Sequence, residues 1–102
     1  MSVYIIAQMT IHDRAAYDKY DAGFFEVFEK FDGEMLSVDE APTVLDGEFT
    51  ATRSVLIKFP SKQAAVAWMR SDEYQEIAKH RIAGSTANSI MVRGFEGMPH
   101  KG

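Results

Sequence analysis

An α+β fold, with a four-stranded antiparallel sheet and helices on one of its faces, is predicted by three features of the sequence. Apolar residues alternate with period two in four separate stretches, and in two intervening regions they recur every three or four positions. Capping or turn residues mark the boundaries between them.

The first stretch, Val3 to Ile11, places Val3, Ile5, Ala7, Met9 and Ile11 on one face of a strand and Tyr4, Ile6, Gln8 and Thr10 on the other. Asp13 then has the character of an N-cap, a carboxylate able to accept from the free N–H groups of a helix start. Tyr17, Tyr20, Phe24, Val27, Phe28 and Phe31 follow at spacings of three and four, a wide apolar stripe of helical period. Asp32-Gly33 is expected to end this helix, Gly33 in a left-handed cap. Glu34 to Glu40 predicts a second strand with Leu36 and Val38 on one face. After Ala41-Pro42 comes a short extended piece, Thr43 to Leu45, and then Asp46-Gly47, a tight-turn dipeptide. Thr52 to Phe59 predicts the third strand, with Arg53, Val55, Ile57 and Phe59 on one face. Pro60 stops it and Ser61 caps the next helix, which carries Ala64, Ala65 and Trp68 and falters at Arg70-Ser71. Ser71 caps a continuation bearing Tyr74, Ile77, Ala78, Arg81 and Ile82, ended by Gly84, and Asn88 to Phe95 predicts the last strand.

Two split β-α-β units in this order give a ferredoxin-like β-α-β-β-α-β sheet with the first and third strands in the middle. Right-handed crossovers put both helical regions on one face. The other face then carries Tyr4, Ile6 and Leu56, or their opposite-parity neighbours, an apolar patch ill-suited to a small monomer. A second copy packed sheet to sheet is expected to cover it, so the chain is expected to be a homodimer.

The 102 residues suit one domain, taken as residues 1–96, with 97–102 expected to form a flexible tail. Cysteine is absent, which removes disulfides, thiolate nucleophiles and iron–sulfur clusters. The net charge of −4 disfavours phosphate backbones, so no nucleic acid partner is expected. The opening residues lack a basic region, and their apolar run is too short for a signal peptide or membrane span; a cytoplasmic location with no membrane contact is the expectation. His12, His80 and His100 show no metal-ligand spacing, and neither a glycine-rich phosphate loop nor a serine-hydrolase elbow occurs, so no metal or cofactor is expected.

A few polar residues remain as candidates. His80 could act as an acid or base, although a basic residue in a last helical turn also simply opposes the helix dipole. Arg81 falls inside an apolar stripe, so its guanidinium needs an acceptor, either a protein carboxylate or a bound anion. Tyr17, Tyr20, Trp68 and Tyr74 combine an apolar body with a polar tip, which suits both a pocket wall and a core. Tyr4 and Arg53, on the two central strands, can face either the helices or a partner subunit. No pair of carboxylates has an acid/base arrangement: Glu34 and Glu40 lie about 20 Å apart at strand rise.

Two stretches resemble a known family. Tyr4 to Gln8 with Asp13, Tyr17 and Tyr20 is one. Lys58-Phe59-Pro60-Ser61 with Ala64-Ala65, Ala67-Trp68, Ser71, Glu73-Tyr74-Gln75 and Arg81 is the other. Together with Val44-Leu45-Asp46-Gly47 they are similar to the bacterial domain-of-unknown-function 1330 family over nearly the whole chain to Phe95. The resemblance implies membership of the dimeric α/β-barrel group, alongside muconolactone-isomerase-like proteins, cofactor-independent antibiotic-biosynthesis monooxygenases and YciI-like proteins, whose small-molecule pockets lie between sheet and helices. It brings no reaction with it. Asp13, Tyr20, Trp68, Tyr74 and Arg81 match family positions; His80 does not.

The function expected is that of a homodimeric small-molecule-binding protein, in its sharpest form a cofactor-free enzyme acting on an organic acid or aromatic metabolite. Tyr20, Trp68, Tyr74, Arg81 and Arg53 would hold the ligand, and His80 would move a proton. The alternative is a non-catalytic binding or assembly module with a filled core. An RNA-binding version of the topology is set aside, because only Tyr4 offers a stacking surface and the net charge is negative.

Overall fold

The structure, a computed structural model, describes residues 1–97. Its elements run β1 (Val3–Ile11), α1 (Arg14–Phe28), β2 (Glu34–Asp39), β3 (Arg53–Phe59), α2 (Lys62–Arg70), α3 (Asp72–Gly84) and β4 (Ser85–Arg93), followed by a short 3-10 turn at Phe95–Gly97. The sheet order is β2-β3-β1-β4 with every neighbouring pair antiparallel, the ferredoxin-like arrangement. The expected tail begins within the 3-10 turn at Gly97, and its remainder, with His100, lies outside the described residues.

The caps behave as their chemistry demands. Asp13 accepts from the Ala16 N–H at 3.2 Å, Ser61 from the Ala64 N–H at 3.1 Å and Ser71 from the Tyr74 N–H at 3.1 Å. The helix-facing side of the sheet is Val3, Ile5 and Met9 of β1 with Val55, Ile57 and Phe59 of β3. These join Tyr17, Tyr20, Phe24 and Phe28 of α1 and Trp68, Tyr74 and Ala78 of α2 and α3 in one core. The opposite side carries Tyr4 and Ile6, paired across to Val92 and Ile90 of β4 and to Lys58 and Leu56 of β3, and no helix covers it.

Three expectations need correction. Helix α1 ends at Phe28, with Glu29 as a right-handed cap, and Gly33 has no positive φ; among the described glycines only Gly47 does, at φ 71° in the expected turn. Gly33 is required for space, since a Cβ there would lie 2.5 Å from Phe28 and 2.8 Å from Phe59. Leu36 and Val38 do not share a face, because a bulge between Met35 and Ser37 shifts the register and turns Met35 and Val38 together toward the helix side. Strand β4 begins at Ser85, three residues before the expected Asn88: Ser85 pairs with Ile11 directly after the helix, and its polar start hides the period-two pattern.

Candidate functional site

The helices are held against each other rather than pressed flat on the sheet. At one end Gly84 lets α3 meet the start of α1: a Cβ there would sit 2.7 Å from the Tyr17 nitrogen and 2.8 Å from the Asp13 oxygen. The Gly84 carbonyl accepts from the His12 and Asp13 N–H groups at 3.0 and 3.1 Å. At the other end Lys30, in the turn after α1, forms an ion pair with Glu73 of α3. Between these two pins, the helices and the concave face of the sheet enclose a cavity of about 510 Å³, within the range of small-ligand sites.

Ser71, at the break between α2 and α3, orients two of its walls. Its hydroxyl donates to the Trp68 carbonyl at 2.8 Å while accepting from the Tyr74 N–H, so the last turn of α2 and the first of α3 are fixed together. Trp68 and Tyr74 consequently pack with ring centroids 4.3 Å apart. Tyr74 and Tyr20 share a hydrogen bond between their hydroxyls at 3.0 Å, and the Tyr17 hydroxyl donates to the Met9 sulfur at 2.9 Å. Burial pushes the Tyr17 phenol up to about 12 and, with the Tyr74 hydroxyl adding to it, drives Tyr20 well above its ordinary value. Both phenols therefore stay protonated at neutral pH and serve as polar but uncharged wall.

Charge enters through three lining residues: Asp21, Arg53 and Arg81. Arg53, its side chain 12% exposed, extends over the Tyr17 ring at 5.2 Å and pairs with Asp21 at 3.2 Å, with Glu40 more distant at 3.9 Å. Glu40 is itself engaged by Arg14 at 2.7 Å, which holds its carboxyl below the usual range. Asp21 is raised by burial, a larger effect than the opposing pull of Arg53. Arg81 is different. Its guanidinium forms no ion pair or hydrogen bond with any described residue, and its Nε is buried without an acceptor. The only other buried side-chain polar atoms without a partner, among the described residues, are Arg53 Nε and Trp68 Nε1. All three are N–H donors, and all three belong to residues that line the one cavity. Buried donors are costly to leave unmade, so this wall favours a ligand that brings acceptor oxygens.

Of the residues singled out in the sequence, Tyr20, Arg53, Trp68, Tyr74 and Arg81 come together around the cavity. Tyr17 joins them, and Arg53 faces the helices. Tyr4 sits on the uncovered face of the sheet, paired with Val92 and Lys58. His80, the histidine considered for proton transfer, is half-buried on α3 and is not among the cavity-lining residues. Asp21 is a charged cavity-lining residue not singled out from sequence. Its signal is modest: it lies one turn after Tyr17 and directly after Tyr20, a carboxylate on the flank of an apolar stripe. No group of three or more His, Asp or Glu side chains among the described residues could hold a metal ion. No helix of the described residues is long and apolar enough to cross a membrane.

The family model described as "Domain of unknown function (DUF1330)" matches residues 2–95. No curated protein matches the chain. Among solved structures, one similar fold is a protein of unknown function from Rhodopseudomonas palustris, with TM-score 0.79 and 20% identity, covering 92% of this chain and 82% of that one. Another is SnoaB, a cofactor-independent oxygenase from Streptomyces nogalater, with TM-score 0.65 and 16% identity over 97% and 98% of the two chains. A third is a dimeric protein of unknown function and ferredoxin-like fold from Bacteroides fragilis, with TM-score 0.64 and 10% identity over 91% and 96%. At these identities the likeness is one of fold.

Proposed function

We propose that this chain, which belongs to the DUF1330 family, is a cytoplasmic homodimeric protein that binds a small organic acid or aromatic metabolite between its sheet and helices. The observation that carries this reading is Arg81, a cation in a cavity wall whose guanidinium has no acceptor among the described residues. An arginine fully paired with a protein carboxylate would have spoken for the filled-core alternative. The aromatic walls made by Tyr20, Trp68 and Tyr74 suit a ring-bearing body, and Arg81 suits its carboxylate or enolate.

Two forms of the proposal differ in chemistry. A cofactor-free enzyme is supported by likeness of fold to a cofactor-independent oxygenase. Binding without catalysis is supported by the wall itself, which offers no free general base: His80 lies elsewhere and Asp21 is committed to Arg53. The homodimer is supported by the uncovered apolar face of the sheet, where Ile90 is 60% exposed beside Ile6, and by the dimeric description of a similar fold.

A thermal-shift screen of the wild type and Arg81→Ala against small organic acids and hydroxylated aromatics tests the pocket. A ligand present at about a hundred times its Kd adds about 2.7 kcal/mol to stability, a shift of about 10 °C for a domain of this size. The expected result is one compound class that stabilises the wild type and fails to stabilise a folded Arg81→Ala variant. Absence of any ligand, with Arg81→Ala only lowering Tm, would make Arg81 structural and favour the assembly module.

A further inference from the structure

We infer that the cavity is built for a monoanion, and that Asp21 sets this charge by masking Arg53; the inference rests on the small-molecule reading above and specifies its ligand. The charged groups in the cavity wall are two guanidiniums and one carboxylate. Asp21 lies 3.2 Å from Arg53, so one cation is neutralised within the protein. Arg81, with no acceptor among the described residues, is left as the uncompensated charge. One unit of positive charge in a partly enclosed, largely apolar site calls for one negative charge on the ligand.

A second carboxylate on the ligand would have to displace Asp21 from Arg53 or lie beside it unpaired. Either arrangement is penalised in a site of reduced dielectric. A neutral aromatic would fill the volume and leave Arg81 as it is. The remaining unpaired donors, Arg53 Nε and Trp68 Nε1, add room for neutral acceptors such as a carbonyl or hydroxyl oxygen rather than for further charge.

Calorimetric titration with benzoate and phthalate as mono- and dianionic probes tests this on the full chain. The wild type should bind benzoate about tenfold or more tightly than phthalate, well within the roughly thousandfold that one unit-charge interaction near a protein surface can give. Asp21→Asn, which keeps the shape and leaves Arg53 only the more distant Glu40 as a counter-charge, should narrow that ratio. Arg53→Gln exposes Asp21 without its partner and should weaken benzoate by a similar factor, an effect of opposite sign that does not depend on Asp21→Asn folding well. Equal binding of the two probes by the wild type, or an unchanged ratio in Asp21→Asn, overturns the charge assignment while leaving the pocket in place. Binding of neither probe by any of the proteins, or of benzamide as well as benzoate, overturns the anion-binding reading itself and this inference with it.

Discussion

Phe59→Ala is expected to lower the unfolding free energy by about 3–5 kcal/mol, the range for deleting a buried aromatic side chain. Phe59 is fully buried on β3 and is the point at which the two helical regions meet the sheet. Its ring lies 6.0 Å from Phe28 of α1 and 5.5 Å from Trp68 of α2. Gly33 lies against the same cluster, where a Cβ would fall 2.8 Å from the Phe59 ring. A domain of ordinary stability has only about 5–15 kcal/mol in hand, so the variant should be close to its threshold. Urea unfolding followed by Trp68 fluorescence checks this, at one fixed protein concentration so that any dimer contributes equally. A loss below about 1 kcal/mol would mean that the sheet and helices are not joined through this cluster.

Ile6→Asp is expected to convert the proposed dimer to a monomer that remains folded. Ile6 lies on the central strand β1, opposite Leu56 on β3 and Ile90 on β4, with Tyr4 and Val92 one row away. None of these side chains is in the core between sheet and helices, so a carboxylate at position 6 leaves that core intact. In a sheet-to-sheet dimer it would instead be enclosed without a partner, and in a two-fold arrangement it would face the region of its own copy. Central interface residues of this kind contribute roughly 2 kcal/mol or more, so dissociation should become about thirtyfold easier at the least. Light scattering coupled to size exclusion reads the mass, and far-UV circular dichroism confirms the fold. A wild type that is monomeric at micromolar concentration, or an Ile6→Asp variant that stays dimeric, would remove this face as the interface.

Much of the architecture was legible because its signals are local. Asp13, Ser61 and Ser71 cap helices through their own side chains, and alternation along β1 and β3 separates a buried face from an open one. The errors fall where a distant contact decides. Gly33 reads as a cap because glycines commonly end helices, but here two aromatic rings from other elements exclude any Cβ. Strand β2 looks regular in sequence, yet its bulge, visible only in its pairing with β3, puts Val38 beside Met35. The site divides in the same way. Arg81 stands out as a charge within an apolar stripe, and Tyr20, Trp68 and Tyr74 as polar-tipped aromatics on their own stripes. The pairing of Arg53 with Asp21 spans 32 residues and depends on how α1 lies over β3, which no local pattern encodes. For the same reason His80, one position from Arg81, could not be placed in or out of the cavity without the fold.

The most direct test of the account is the state of the Arg81 side chain when the cavity fills. In ¹⁵N-edited spectra of the arginine Nε–H groups, the Arg81 signal is assigned by its absence from Arg81→Lys. Titrating the wild type with benzoate should shift that signal progressively and saturably, with the Trp68 indole N–H moving over the same concentration range and Arg93, which pairs across from Val3 outside the cavity wall, unaffected. An Arg81 signal that does not respond while benzoate binds would place the ligand elsewhere. An Arg81 signal already showing a firm salt bridge in the free protein would contradict the central claim that this guanidinium awaits a ligand.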